Sequence, residues 1–392
     1  MGLKQIILKL GVAGLRAAYA PMKLQKTRNR IVILSRQSDK MSMDIRMIVN
    51  EIGKSHPDVE VVALCKLLED KNPIEYGLHM LEQMKYMASS KVVLLDGYCI
   101  AASILNHKPQ TTVVQMWHAL AAIKKFGYQT IDKPSGHSRQ VAEAMCMHRN
   151  YDHVICASPA TGEHFMKCFN ISESQLTYMA LPRVDEILRP NNILPEEYRG
   201  RSLEDFRGFL RNEYEIVEGR EVILYVPTFR KDKDVELKGL IDAVNKPEFT
   251  LVIKAHPIYD NLMYDGSKEL QIPAGLNVQV IIDKKYSSYQ WMAASDRIIT
   301  DYSALGVEAA LLDKPLYYYV YDIDDYEETV GLNVNPCDEM PTSSAVTSEE
   351  LKAVINSEYD YDKLTEFKNK YVSVDTDNCT QKLGSFLADL AR

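Results

Sequence analysis

The chain lacks the usual sequence signatures of phosphate and metal sites. Neither a GxxxxGK(S/T) loop nor a GxGxxG fingerprint occurs in its 392 residues, which excludes the P-loop and the dinucleotide-binding turn as phosphate cradles. Its seven cysteines include no CxxC pair, so a disulfide framework and a structural zinc site are disfavoured and a reducing, cytosolic compartment fits. His137, His148, His153 and His164 lie 11, 5 and 11 residues apart, which matches no metal-ligand spacing, and they read as structural or surface residues. The acids of the stretch 322–328 lack EF-hand spacing and read as a solvated loop. A net charge of −8 argues against a nucleic-acid binder. There is no low-complexity segment, no repeat and no apolar run long enough to cross a bilayer.

One local absence is informative. Residues 1–30 contain no acid, yet carry Lys4, Lys9, Arg16, Lys23, Lys26, Arg28 and Arg30. Leu3, Ile6, Ile7, Leu10, Val12, Leu15 and Tyr19 are interleaved with them, several at helical spacing. Lys9 and Arg16 interrupt the apolar region as a secretory signal would not allow, and Ile6 replaces the Ser or Thr of a myristoylation motif. The pattern predicts a basic amphipathic helix lying on an anionic membrane over residues 1–28; the alternative is a first helix packed on the domain with a solvated basic side.

Beyond that segment, strand-like runs alternate with helical patterns, the mark of parallel α/β layers. Strands are expected at 30–34, 59–65, 91–95, 112–116 and 153–157, and again at 222–226, 250–254, 278–282, 297–300 and 316–320. Helices are expected at 76–89, 140–148, 348–357, 361–370 and 380–392. The domains read as 29–190, 191–345 and a closing helical segment 346–392.

Three segments at strand ends carry the chemistry, because open α/β sheets place their sites there. Trp117-His118 leads into Lys124-Lys125, pairing a titratable imidazole with a bulky wall and two cations. Lys254-Ala255-His256-Pro257 ends a second strand. Asp301-Tyr302-Ser303 joins a strand to a helix bearing Glu308, where backbone N–H groups and a hydroxyl suit a phosphate and the carboxylate suits a ribose. Arg183 and Arg230 each follow a proline-bearing turn, where a guanidinium clamps a phosphate. Each has a bland counterpart: a hydrogen-bonded histidine, a solvated lysine pair, a capping serine, an arginine paired with a carboxylate.

In this order and at these separations the segments resemble the CDP-glycerol glycerophosphotransferase family of wall teichoic acid synthesis. The match runs through Trp117-His118, Lys124-Lys125, Pro227-Thr228-Phe229-Arg230, Lys254–Pro257, Thr300-Asp301-Tyr302-Ser303 with Glu308, and Asp313-Lys314-Pro315. The resemblance implies a GT-B-like α/β fold, two Rossmann-like domains facing a central cleft, preceded by the basic helix. It further implies a peripheral enzyme on the cytoplasmic face of the membrane, with no cofactor and no metal. The chain departs from the family pattern at Ala119 for Gly, at Ala304 for the second Ser, at Glu308 for the commoner Asp, and in the Ala-Leu-Ala-Ala-Ile stretch after His118.

The implied reaction moves glycerol phosphate or ribitol phosphate from a CDP-polyol to a hydroxyl of a lipid-linked teichoic acid precursor, releasing CMP. His118 is the expected general base. His256, Arg230 and Ser303 would meet the pyrophosphate, and Glu308 the ribose. Lys124, Lys125 and Arg183 would steer anionic groups, with Trp117, Lys254 and Asp301 completing the substrate-binding set. The competing class is a sugar-nucleotide glycosyltransferase of the same shape; a scaffold that lost catalysis is the third. The absence of a large extra N-terminal domain favours addition of one or a few units.

Overall fold

A computed structural model describes residues 3–67, 72–198, 200–228, 236–254 and 272–392. The first sheet contains β1 (Arg28–Ser35), β2 (Glu60–Cys65), β3 (Ser90–Leu95), β4 (Thr112–Gln115), β5 (His153–Cys156) and β6 (Leu176–Tyr178), in the order β2-β1-β3-β4-β5-β6. The second contains β7 (Glu221–Val226), β8 (Phe249–Ile253), β9 (Gln279–Ile282), β10 (Arg297–Thr300), β11 (Leu316–Tyr319) and β12 (Ser344–Ala345), in the order β12-β11-β10-β7-β8-β9. Every pairing in both sheets is parallel. Parallel strands are covered on both faces, which is why their sequences are continuous apolar runs such as Val92–Leu95 and Val222–Val226.

The chain divides into two compact units, residues 1–185 with 329–331 and 371–392, and residues 186–328 with 332–370. The last helix, Cys379–Leu390, therefore belongs to the first unit, where it packs on helix Met43–Ser55. Helices Ser348–Asn356 and Tyr361–Tyr371 lie almost entirely in the second.

Strand order determines where each unit is open. The first sheet changes direction of progression between β1 and β3, and the second between β7 and β10; the second has the doubly wound order 3-2-1-4-5-6 counted within its unit. At such a switch point the loops leaving neighbouring strand ends diverge and leave room for a ligand. Among the described residues, His118, Thr228, Lys254 and Asp301 follow strands at or next to these two places.

A helix does run from Leu3 to Met22. Val12 and Tyr19 are buried in the first unit's core, and Arg16 Nε donates to the Ile104 carbonyl at 2.7 Å. Its N-terminal part points elsewhere: Ile6, Ile7 and Leu10 are exposed. Among the described residues no helix is long and apolar enough to cross a membrane.

Candidate active site

In the first unit, β4 ends at Gln115 and the chain turns sharply so that Trp117 adopts φ 57, a left-handed conformation rare for a bulky residue. The turn carries His118 toward the β1/β3 switch point. His118 Nδ1 lies 2.9 Å from the Asp96 carbonyl, just past the end of β3. A carbonyl only accepts, so Nδ1 carries the proton and Nε2 keeps its lone pair. The Gln37 amide, just past β1, lies 3.3 Å from the same nitrogen, and with the proton on Nδ1 it is the amide oxygen that can accept there. Trp117 stacks between the imidazole and Phe126, each with ring centroids 4.3 Å away.

The imidazole keeps an open edge but is crowded by protein. That crowding, opposed by the Asp96 carbonyl and reinforced by the charges of Arg183 and Lys124, lowers its pKa to about 4. It is therefore neutral at physiological pH. The unfolded chain binds this proton first on acidification, so the group's contribution to stability declines from about pH 6.5 toward 4. Asp96 moves the other way. Its carboxyl is 2% exposed, and burial raises it to about 6 despite a 2.7 Å hydrogen bond from the Ser35 hydroxyl.

Arg183 is held by Asp44. The Asp44 carboxylate accepts from the Arg183 backbone N–H and Nε at 2.8 Å each, and from Nη2. Asp44 stands in the first turn of helix Met43–Ser55, started by the Ser42 cap, and its side chain is 1% exposed. Lys124 and Lys125 are half-buried, and the Lys125 backbone N–H donates to the Gly331 carbonyl at 2.9 Å. Residues 119–123, where the chain departs from the family pattern, are a buried apolar strip.

In the second unit, Asp301 is fully buried at the end of β10, and both its carboxylate oxygens accept from the Thr228 N–H just past β7, at 2.8 and 3.0 Å. It thus ties together the two strand ends of the switch point. Ser303 Oγ accepts from the Leu305 N–H at 3.3 Å. Helix Leu305–Ala310 approaches β11 so closely that a Cβ at Gly306 would lie 2.5 Å from the Tyr318 hydroxyl. Glu308, on this helix, is 3% exposed and accepts from the Tyr289 hydroxyl at 2.6 Å.

Lys254 is engaged: its Nζ donates to the Asp283 carbonyl at 2.9 Å and to its carboxylate at 3.1 Å. Burial would raise the Asp283 pKa, but hydrogen bonds from the Tyr214 hydroxyl and Lys254 Nζ overcome it and hold the carboxyl below its ordinary range. Arg230 and His256 lie outside the described residues. The residues that sequence reasoning missed are the ones behind the site: Asp44, Asp96, Gln115, Asp283 and Tyr289. Asp96-Gly97 and Gln115 at strand ends were available as signals; Asp44, 139 residues from Arg183, was not.

Three comparisons bear on this arrangement. A family model described as CDP-Glycerol:Poly(glycerophosphate) glycerophosphotransferase matches residues 17–388. The chain is 28% identical over 327 residues to a teichoic acid ribitol-phosphate primase of Bacillus spizizenii, covering 81% of this chain and 79% of that protein. It is also 28% identical over 346 residues to a teichoic acid glycerol-phosphate primase of Bacillus subtilis, covering 86% and 82%. In structure it is similar to the wall teichoic acid polymerase TagF, with a TM-score of 0.69 and 17% identity, covering 99% of this chain and 98% of that one.

Proposed function

The chain belongs to the CDP-glycerol:poly(glycerophosphate) glycerophosphotransferase family, and from that premise we propose that it transfers a polyol phosphate from a CDP-polyol to a hydroxyl of a lipid-linked teichoic acid precursor. The acceptor oxygen attacks the polyol-bearing phosphorus and its proton passes to His118 Nε2. The bond from that phosphorus to CMP breaks, and CMP leaves with the electron pair. Phosphoryl transfer asks mainly for positioning and charge stabilisation, which strand-end clusters of this kind supply. The observation that carries the reading is His118 itself: a neutral imidazole at the switch point, its Nδ1 committed to the Asp96 carbonyl and its Nε2 left for a proton.

The remaining roles follow the chemistry of each side chain. Ser303 offers a hydroxyl to a donor phosphate, and Glu308, preoriented by Tyr289, accepts from a ribose hydroxyl. Asp301 and Lys254 act one step back, Asp301 by joining the strand ends and Lys254 by fixing the loop after β9 through Asp283. Arg230 and His256 remain the candidates for charge on the pyrophosphate, and Lys124, Lys125 and Arg183 for the field felt by anionic substrate groups. Isothermal titration tests the donor class: CDP-glycerol or CDP-ribitol binds and UDP-N-acetylglucosamine does not, and Glu308→Ala weakens donor binding by roughly 10- to 100-fold, the value of a hydrogen bond to a charged group. Binding of the UDP-sugar alone would favour a glycosyltransferase.

A lipid-linked acceptor calls for a membrane surface. Ile6, Ile7 and Leu10 are exposed on the first helix, and Ile74, Leu78 and Leu81 on helix Pro73–Met87, which packs beside it; Leu24 is 88% exposed. Lys9, Lys23, Lys26 and Lys85 stand on the same two elements or the turn that follows the first. Apolar side chains flanked by cations and free of acid in the first 30 residues fit an anionic interface. Removing the whole helix would also remove Val12 and Tyr19 from the core, so point changes are the cleaner test. Ile7→Asp with Leu10→Asp lowers binding to phosphatidylglycerol vesicles at least 10-fold at low salt, with thermal unfolding unchanged; unaltered binding would refute the docking face.

A further inference from the structure

Gln115 is the last residue of β4, is fully buried, and uses its whole amide within the protein. Nε2 donates to the Gly97 carbonyl at 3.0 Å and lies 3.1 Å from the Tyr151 hydroxyl, while Oε1 accepts from the Trp117 N–H at 2.8 Å. Gly97 follows Asp96, whose carbonyl holds His118 Nδ1; Trp117 precedes His118. One side chain thus grips the residue next to the base and the residue next to the base's hydrogen-bond acceptor.

The grip is needed because the turn is unfavourable by itself. Trp117 at φ 57 is in a conformation that a bulky L-residue keeps only when its surroundings over-determine it. The Oε1 bond to its N–H and the stack on Phe126 are those surroundings. Behind Gln115, the Tyr151 hydroxyl also meets His148 Nδ1 at 2.9 Å, so the clamp is anchored in the aromatic core.

We propose that Gln115 is a positioning residue which, by clamping Gly97 and Trp117 at once, holds His118 on the Asp96 carbonyl in the tautomer whose Nε2 can take the acceptor's proton. This rests on the role given to His118 above. Gln115→Met keeps the length and apolar volume of the side chain and deletes all three hydrogen bonds. The Trp117 turn then loses its acceptor and the imidazole its register.

Two readouts test it. In steady-state transfer from the CDP-polyol, Gln115→Met lowers kcat at least 10-fold with the donor KM changed less than threefold. Introduced into His118→Ala, it costs less than twofold more, because it acts through a base no longer present. The second readout needs no substrate: nitrogen-15 NMR of the histidine rings places the proton of wild-type His118 on Nδ1, and Gln115→Met gives a mixture with the Nε2-protonated form. Gln115→Glu, which keeps an acceptor for the Trp117 N–H, restores part of the Nδ1 population. An unchanged tautomer in Gln115→Met, or an equal loss of rate in the His118→Ala background, overturns the proposal. A wild-type protein that transfers no polyol phosphate yet shows the tautomer shift would instead sink the functional reading and leave the clamp standing.

Discussion

Replacing His118 with alanine is expected to lower kcat for polyol phosphate transfer by about 10²–10⁴-fold, the usual worth of general base catalysis. The imidazole at the first unit's switch point combines a neutral resting form with an Nε2 lone pair; its pKa of about 4 and its bond to the Asp96 carbonyl support both. Donor affinity should move less than threefold, because the ribose and phosphate contacts are assigned to Ser303 and Glu308. His118→Asn, which keeps a donor for the Asp96 carbonyl but offers no basic nitrogen, should be equally slow. In the wild type the acid limb due to this group falls near pH 4, while Asp96 titrates separately near 6. Stopped-flow release of CMP measures all of this, and a His118→Ala enzyme within fivefold of wild type would remove the residue from the chemistry.

The second large effect is on stability. Asp44→Ala takes from Arg183, whose side chain is 12% exposed, its buried counter-ion and every hydrogen bond that Asp44 gave it. Removing one member of a buried pair costs about 3–5 kcal/mol, because the remaining charge loses its counter-ion in a poorly solvated site. For a unit of this size each kcal/mol lowers Tm by roughly 2–4 °C, so the first unit's transition should fall by about 10 °C in calorimetry. Asp44→Leu with Arg183→Met replaces the pair by apolar groups and should recover most of the loss. If the double variant is as unstable as Asp44→Ala, packing of the helix start rather than the lost ion pair is responsible.

How much of this could be read in advance varied with sequence distance. Ser295–Asp322 was legible in full, with strand Arg297–Thr300, helix Leu305–Ala310 and strand Leu316–Tyr319 where the apolar periodicity put them, because each is a local pattern. The short strands Leu176–Tyr178 and Ser344–Ala345 were not, since three and two residues are too few to show a period. The membership of the last helix was hidden for a different reason: its amphipathic face specifies burial but not against which unit. At the site, motif residues at strand ends were visible and their supports were not. Asp44 meets Arg183 across 139 positions and Asp301 meets the Thr228 N–H across 73; such contacts come from strand order, which spacing along the chain does not encode. Nor does any residue type announce that Trp117 takes a left-handed turn.

The most direct measurement is the mass of the product. Purified protein is incubated with a synthetic lipid-linked acceptor and either CDP-glycerol or CDP-ribitol, and the lipid is weighed by mass spectrometry while CMP is quantified. The expected result is a gain of whole polyol phosphate units from one of the two donors, matched by CMP in equal amount and reduced in His118→Ala by the factor given above. A lipid that gains a hexose or hexosamine from a UDP-sugar, or one that gains nothing while either CDP-polyol remains intact, would contradict it.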